Sequence, residues 1–181
     1  ARVRHRRHAG RPNDASLVNG WGLSAGPTTP WWTSNNGSNT STLYTGAGAK
    51  APLTVSVPGA PTGTVFNGNA AAFPVTQNGV SGPGRFLFST EAGTIQGWAS
   101  NVNGANAIVA VDRSAQGAVY KGLAIASDRI YATDFHNGRV DVFDSKWQPV
   151  AGGFVDPQIP AGWAPFGIQA IGSNIAVTYA K

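Results

Sequence analysis

The chain has 181 residues, of which 41% are hydrophobic and only 12% are charged, so it has enough apolar material for a folded domain and wholesale disorder is excluded. It contains 24 Gly and 12 Pro, the two poorest helix formers, which argues against long helices. Because there is no Cys, disulfides and zinc–thiolate sites are excluded. The formal net charge of +5 comes from arginines in the first twelve residues, since charges cancel in the remainder.

The basic segment at residues 1–12 is predicted to be a disordered tail that precedes a neutral body over residues 13–181. The body has no basic patch with interleaved aromatic residues, so we expect it not to bind nucleic acid. No apolar run is long enough to predict a transmembrane segment. The low charge, the lack of Cys and the many Asn, Ser, Thr and Gly residues are typical of a secreted or extracytoplasmic protein.

Four segments of the chain share one form: a Gly-led apolar stretch, a short strand, a Gly turn and a second strand that ends in an aromatic residue. The fourth segment ends after its first strand. The leading glycines, which recur at intervals of roughly 40–60 residues, are Gly22, Gly63, Gly122 and Gly167. The longest interval is explained if residues 69–84, which are small, polar and rich in Gly and Pro, form an inserted surface loop. A missing side chain at the leading position would let inner strands approach one another closely.

A period of roughly 40–50 residues with several short strands in each unit is the sequence signature of a β-propeller blade. The segment at residues 139–143 supports the strand assignment, because Val140 and Val142 alternate with the polar Asp141. We therefore predict an all-β fold, a partial β-propeller with about three blades and the start of a fourth. The units lie near residues 21–60, 61–116, 117–162 and 163–181. A β-sandwich with coincidental spacing is the alternative.

The stretch YATDFHNGRVDVFD at residues 131–144 resembles the NHL-type propeller repeat. Other stretches resemble an uncharacterised secreted family of conserved hypothetical proteins from bacteria and some plants. They are LVNGWGLSAGPTTPWW (17–32), STLYTG (41–46), PTGTVFNG (61–68), FLFSTEAGTIQGW (86–98), GAVYKGLAIA (117–126) and PFGIQAIGSNIAVTYAK (165–181). This resemblance, over about residues 13–181, implies a ring of six NHL-like blades, of which the chain looks like the N-terminal half. The basic tail departs from the family, as does Gly20, which stands where the family pattern has Pro.

One repeated position, after the Ser or Thr near the end of a strand, holds Asn35, Glu91, Asp134 and Tyr179. In a propeller these side chains would gather around one end of the axis, where their oxygens suit a hard cation such as Ca²⁺. No other cofactor is implied. His136 is the candidate general base. The alternative is structural, because Asp and Asn at strand ends accept backbone hydrogen bonds and shape turns.

Two functional hypotheses remain open. The first is a non-enzymatic binding or scaffold module for an unknown protein or glycan, since a propeller presents loops on a rigid ring. Exposed members of the six Trp residues could stack on sugars, although Trp is more often core. The second is a divalent-metal-dependent hydrolase of the lactonase type, with its site on the propeller axis. An open ring would also leave an unpaired strand edge, which predicts that the chain either self-associates or is markedly less stable than a closed ring.

Overall fold

The computed structural model describes residues 13–151, 154 and 156–181, so the predicted tail at residues 1–12 lies outside the described residues. The first sheet contains β1 (Gly20–Ser24), β2 (Trp31–Asn35), β3 (Thr40–Tyr44) and β4 (Lys50–Ser56) in that spatial order. The second unit contributes β5 (Pro61–Phe66), the hairpin strands β6 (Pro74–Gln77) and β7 (Val80–Pro83), and then β8 (Phe86–Thr90), β9 (Thr94–Trp98) and β10 (Ile108–Asp112). Of these, β5, β8, β9 and β10 form the second sheet.

The third sheet contains β11 (Tyr120–Ala126), β12 (Arg129–Asp134) and β13 (Arg139–Asp144). The fourth contains β14 (Ala164–Ile171) and β15 (Asn174–Ala180). All pairings within these sheets are antiparallel. We call the four sheets blades 1 to 4. The all-β prediction is confirmed.

The four blades lie side by side, and consecutive blades contact each other through their inner strands. The first strand of each blade, β1, β5, β11 or β14, is an edge strand of its own sheet and packs against the first strand of the next blade. One apolar cluster, with Trp32, Leu43, Phe86 and Phe88, fills the space between blades 1 and 2. A second, which includes Leu87, fills the space between blades 2 and 3. This arrangement is a partial β-propeller, as predicted, and not two stacked sheets.

The leading glycines lie where the inner strands are closest. A Cβ atom placed on Gly22 would lie 2.6 Å from the carbonyl oxygen of Thr62 in blade 2. A Cβ placed on Gly122 would lie 2.9 Å from the carbonyl oxygen of Phe166 in blade 4. Both distances are too short for a methyl group, so the inner strands can approach this closely only because these positions carry no side chain.

A hydroxyl group on the second strand fixes the leading glycine of blades 2 to 4. The amide of Gly63 donates to Ser89 Oγ at 3.0 Å, and the amide of Gly122 donates to Thr133 Oγ1 at 2.7 Å. In blade 3 the same hydroxyl reaches across to the next blade, because Thr133 Oγ1 donates to the Phe166 carbonyl at 2.6 Å. The equivalent hydroxyl of blade 1, Ser34 Oγ, is buried and has no hydrogen-bond partner among the residues that the structure describes.

This difference predicts opposite effects for two similar substitutions. Thr133→Val keeps the side-chain shape but leaves the Gly122 amide and the Phe166 carbonyl without this hydrogen-bond partner. We therefore expect the free energy of unfolding to fall by about 2 kcal/mol. Ser34→Ala removes a hydroxyl that has no partner, so we expect a change within about 0.5 kcal/mol or a small gain. Urea denaturation of both variants beside the wild type measures this. Equal losses would show that the hydroxyl of Thr133 does not hold blades 3 and 4 together.

Residues 69–84 are an insertion outside the second sheet, as predicted, but the prediction that they form a surface loop was wrong. They carry the β6–β7 hairpin, and the side chains of Ala72, Phe73 and Val75 are buried. Phe73 packs edge-on against Trp147, with ring centroids 5.1 Å apart, and its amide donates to the Ser145 carbonyl at 2.7 Å. The insertion therefore joins blades 2 and 3. Its Gly and Pro content favours a loop, but the apolar residues within it supply core contacts.

Residues 13–19 pack against blade 1 and are held there by hydrogen bonds. The carboxylate of Asp14, 7% exposed, accepts hydrogen bonds from Tyr44 Oη and from Lys50 Nζ, the latter at 2.7 Å. The amide of Gly37 donates to the Val18 carbonyl at 3.0 Å. Burial alone would raise the pKa of Asp14, but hydrogen bonds from Lys50, Tyr44 and the Ser16 amide lower that pKa from 3.8 to about 2.

A carboxyl whose pKa is lower in the folded state stabilises the fold above its unfolded pKa, and that stabilisation is lost as the pH falls towards the folded pKa. We therefore expect Asp14 to contribute on the order of 1 kcal/mol at neutral pH, after allowance for solvent screening, and to lose this between about pH 4 and pH 2. Urea denaturation of Asp14→Asn and wild type across that range measures the loss. The exposed Asp156→Asn is the matched control, and an identical pH profile for wild type and Asp14→Asn would contradict the assignment.

Candidate ligand-binding site

Residues of the inner strands β1, β5, β11 and β14 line one open cavity, which we call the channel. It has a volume of about 500 Å³, and its lining includes the leading glycines. Each inner strand is paired on one side only, so its second edge carries backbone N–H and C=O groups that no neighbouring strand of its sheet pairs with. Side-chain hydroxyls satisfy some of these groups, since the Phe166 carbonyl accepts from Thr133 Oγ1, and the others are free to contact a ligand.

The strand register defines which residues lie at one end of this channel. Gly20 at the start of β1 is opposite Asn35 at the end of β2, and Tyr120 at the start of β11 is opposite Asp134 at the end of β12. Likewise Pro165 near the start of β14 is opposite Tyr179. The beginnings of the inner strands and the turns after the second strands therefore share one end, which we call the channel mouth.

Five side chains from all four blades come together at this mouth. We call them the axial cluster: Trp21 and Asn36 of blade 1, Glu91 of blade 2, Lys121 of blade 3 and Phe166 of blade 4. Trp21, Lys121 and Phe166 line the cavity. The Nζ atom of Lys121 lies 5.3 Å from the centroid of the Trp21 ring, which is a cation–π contact, and the Trp21 and Phe166 ring centroids are 5.8 Å apart.

Two polar groups position the Lys121 ammonium. It forms an ion pair with Glu91 Oε1, while Asn36 Nδ2 donates to Glu91 Oε2 at 2.9 Å. The Asn36 amide is itself oriented by Asn19, whose Nδ2 donates to Asn36 Oδ1 at 3.0 Å. Burial alone would raise the pKa of Glu91, but the hydrogen bonds from Lys121 and Asn36 and the positive charge of Lys121 lower that pKa below its usual value. Glu91 is therefore ionised at neutral pH and its charge is balanced by Lys121.

The residues predicted from the sequence do not all join this cluster. Glu91 does, but Asn35 is fully buried and bonds within its own blade, donating to Thr40 Oγ1 at 3.1 Å and Thr42 Oγ1 at 2.9 Å. The repeat alignment was also one residue out in blade 2, because Thr90, not Glu91, is opposite the start of β5.

Asp134 also bonds within its own blade. It is fully buried and accepts from the Val119 amide at 3.1 Å and from Asn137 Nδ2 at 2.7 Å. These are the contacts of a carboxylate that shapes a turn. His136 is exposed in that turn, beside Gly117, and Tyr179 is half-buried on β15. In the part of the chain that the structure describes, no three His, Asp or Glu side chains are grouped closely enough to hold a metal ion.

The calcium site that the sequence suggests at this mouth is untested, and the existing partners of Glu91 and Asp134 lead to a definite expectation about it. Because Glu91 is paired with Lys121 and Asp134 with amide donors, we expect millimolar Ca²⁺ to leave the Tm unchanged. Asp134→Asn is expected to lower the Tm equally with and without Ca²⁺. Thermal melts with Ca²⁺ and with a chelator measure both. A rise in Tm with Ca²⁺ that Glu91→Gln abolishes would instead establish the cation site.

Sequence reasoning missed Trp21, Asn36, Lys121 and Phe166, although a signal was present for three of them. Each of these three stands directly before the leading glycine of its unit, a position that blade 2 fills with Thr62. A side chain at this position is placed in the channel by the inner strand that carries it. Asn36 left no comparable signal, because it lies in a single-turn 3-10 helix at residues 36–38 that the other blades lack at this place.

Comparison with known proteins supports the fold and leaves the activity open. No protein-family model matches the chain. Two uncharacterized proteins of Acanthamoeba polyphaga mimivirus are 34% and 30% identical to it over 99 residues, or 51% of this chain and 18% and 26% of theirs. The matched part thus spans only about a fifth of the length of these relatives.

Among solved structures, virginiamycin B lyase from Staphylococcus aureus superimposes with a TM-score of 0.65 at 15% identity, over 93% of this chain and 50% of the lyase. The computationally designed Ika4 protein gives 0.56 at 10% identity, over 90% of this chain and 91% of that one. Glutaminyl cyclase from Myxococcus xanthus gives 0.54 at 15% identity, over 87% and 66%. At these identities the likenesses establish the β-propeller fold and carry no activity across.

Proposed function

We propose that the chain is an extracytoplasmic binding module built on a partial β-propeller, and that it holds its ligand at the channel mouth. The observation that carries this proposal is the axial cluster, in which Trp21, Lys121 and Phe166 from three blades line one open cavity while Glu91 and Asn36 hold the Lys121 ammonium in place. Apolar pockets with a few convergent polar groups are the usual form of a ligand site, and about 500 Å³ lies within the usual range of volumes.

The cluster is better suited to binding than to acid–base or metal catalysis. Glu91 is held ionised by Lys121 and Asn36, so its partners occupy the oxygens that a general base would use. His136 is exposed, and no contact joins it to the cluster among the described residues. A lactonase-type hydrolase would require the cation that the calcium experiment tests for.

We also propose that the open end of the ring associates with further blades, in a second copy of this chain or another protein. Blade 4 has only the two strands β14 and β15 in the described part of the chain, which leaves one edge of β15 unpaired. Trp31 begins β2 as Phe86 begins β8, but Phe86 stacks on Trp32 of the preceding blade whereas Trp31 is 45% exposed. In the described residues, no helix has the length and apolar character needed to cross a membrane.

The binding proposal is tested by a ligand screen read at the axial cluster. Ligand-observed NMR with pools of polar metabolites, peptides and oligosaccharides is run on the wild type and on Phe166→Ala, after light scattering has established the oligomeric state. We expect at least one class of ligand to bind the wild type, and Phe166→Ala to weaken it. Ligands that bind both proteins equally would place the binding site elsewhere, and a blank screen would contradict the proposal.

A further inference from the structure

We infer that the ligand of the axial cluster is a neutral carbohydrate, an inference that rests on the proposed binding function. Trp21 provides the first reason. Its ring is 37% exposed at the mouth of the cavity, and its position is fixed by Lys121 and Phe166. Lys121 lies over the ring, and the exposed part of an indole held in this orientation offers apolar surface on which the C–H groups of a sugar ring can stack. The ring contributes binding area with little further loss of conformational entropy.

The free peptide edges of the inner strands provide the second reason. Sugar hydroxyls both donate and accept hydrogen bonds, so a sugar can satisfy N–H and C=O groups that alternate along a wall. Each of the four inner strands is an edge strand with residues that line the cavity, although the Tyr120 and Phe166 carbonyls already accept hydrogen bonds from Thr62 Oγ1 and Thr133 Oγ1. A rigid aromatic or aliphatic ligand would fill the same volume but would leave these peptide groups without partners, at a cost in affinity.

The charge of the cluster provides the third reason and defines the class of sugar. Lys121 is the one ionisable side chain among the residues that line the cavity, and its charge is balanced by Glu91. Lys121 therefore remains available as a donor to a hydroxyl without an excess of positive charge at the mouth. An acidic sugar would bring its carboxylate or sulfate close to Glu91, whose side chain is 32% exposed. The pair thus favours neutral sugars over acidic ones.

The inference is tested on a glycan array of neutral and acidic oligosaccharides, followed by calorimetry on the best neutral binder. Trp21→Ala is expected to weaken binding about tenfold or more, and Trp21→Phe, which keeps a smaller platform, by less. Lys121→Met, which keeps the stem but removes the donor, is expected to weaken it about tenfold. The matched control is Val109→Ala, which also shortens an exposed apolar side chain but lies on β10, the outer edge strand of blade 2, and we expect a change within about twofold.

Salt dependence separates neutral recognition from charge attraction. Affinity for the neutral sugar is expected to stay within about twofold when NaCl is raised to about 0.5 M, because no net charge is neutralised on binding. Circular dichroism melts of each variant show whether a loss of binding is a loss of fold, and Trp21→Phe serves if Trp21→Ala does not fold.

Selective binding of acidic sugars, or neutral binding that Trp21→Ala and Trp21→Phe leave intact, would overturn the carbohydrate inference. If peptides or metabolites bind in the screen, and Phe166→Ala and Trp21→Ala both weaken them while all sugars fail, the binding module stands and the carbohydrate class is overturned. If nothing binds in the screen or on the array, both proposals fall together.

Discussion

Gly63→Ala is expected to lower the free energy of unfolding by about 3 kcal/mol, although it adds a single methyl group. A Cβ placed on Gly63 would contact the backbone nitrogen of Leu123 and lie 2.7 Å from the Leu123 Cβ and 2.9 Å from the carbonyl carbon of Gly122. All three atoms belong to the inner strand of blade 3, and none can rotate away as a flexible side chain would. The methyl group must therefore push blades 2 and 3 apart along their shared core.

The matched control for this effect is Gly46→Ala in the turn after β3. A Cβ placed there has no neighbour within 4 Å, so we expect the free energy of unfolding to change by less than about 0.5 kcal/mol. Urea denaturation of both variants, with the slope of the transition compared as well as its midpoint, separates local strain from a general effect of the added methyl. Similar losses for the two variants would show that the inner strands do not limit the approach of the blades.

The repeat could be predicted from the sequence because each landmark has a local physical cause. The leading glycines mark the close approach of inner strands, and the second strands were expected where β2, β8, β12 and β15 are found. In RVDVF the alternation is also visible in the structure, since Val140 and Val142 are buried and Asp141 is half-buried. Such patterns depend on neighbouring residues, so one sequence was enough to find them.

The candidate site could be predicted only in part, because its residues depend on which position is used to align the four repeated units. Aligning the Ser-Thr of FLFSTE with the Thr-Ser of WWTSN placed Glu91 beside Asn35 and Asp134. The structure shows that the defining atom is the hydroxyl that accepts the leading amide, which is Ser89 Oγ in blade 2 and Thr133 Oγ1 in blade 3. When the units are aligned on these hydroxyl residues, Thr90 is the residue equivalent to Asn35 and Asp134. Glu91 then lies one residue further into the turn.

The contacts of the axial cluster lay beyond the reach of the sequence for a different reason. Trp21, Glu91 and Lys121 are far from one another along the chain. No short-range sequence pattern indicates that Lys121 pairs with Glu91 and also contacts the Trp21 ring. Their meeting depends on how far the inner strands approach and on the register of each blade. A similar limit applied to residues 69–84, where average composition hid the apolar residues that enter the core.

The burial of one of those residues gives the second large effect, since Phe73→Ala is expected to cost about 3–5 kcal/mol of unfolding free energy. Phe73 is fully buried in the cluster between blades 2 and 3. Its amide donates to Ser145, and its carbonyl accepts from the Gly84 amide at 2.8 Å. These two hydrogen bonds hold the backbone in place, so the site cannot collapse onto the missing ring and a cavity remains. Thermal or urea denaturation measures the loss.

Val80→Ala is the matched control for Phe73→Ala, because Val80 belongs to the same hairpin but is 46% exposed. We expect it to change the free energy of unfolding by less than about 0.5 kcal/mol. Hydrogen exchange adds a local measurement. If Phe73 joins blade 2 to blade 3, its removal should speed exchange of the β11 and β12 amides as well as those of the hairpin. Faster exchange confined to residues 69–84 would instead describe an insertion that covers the blades without holding them together.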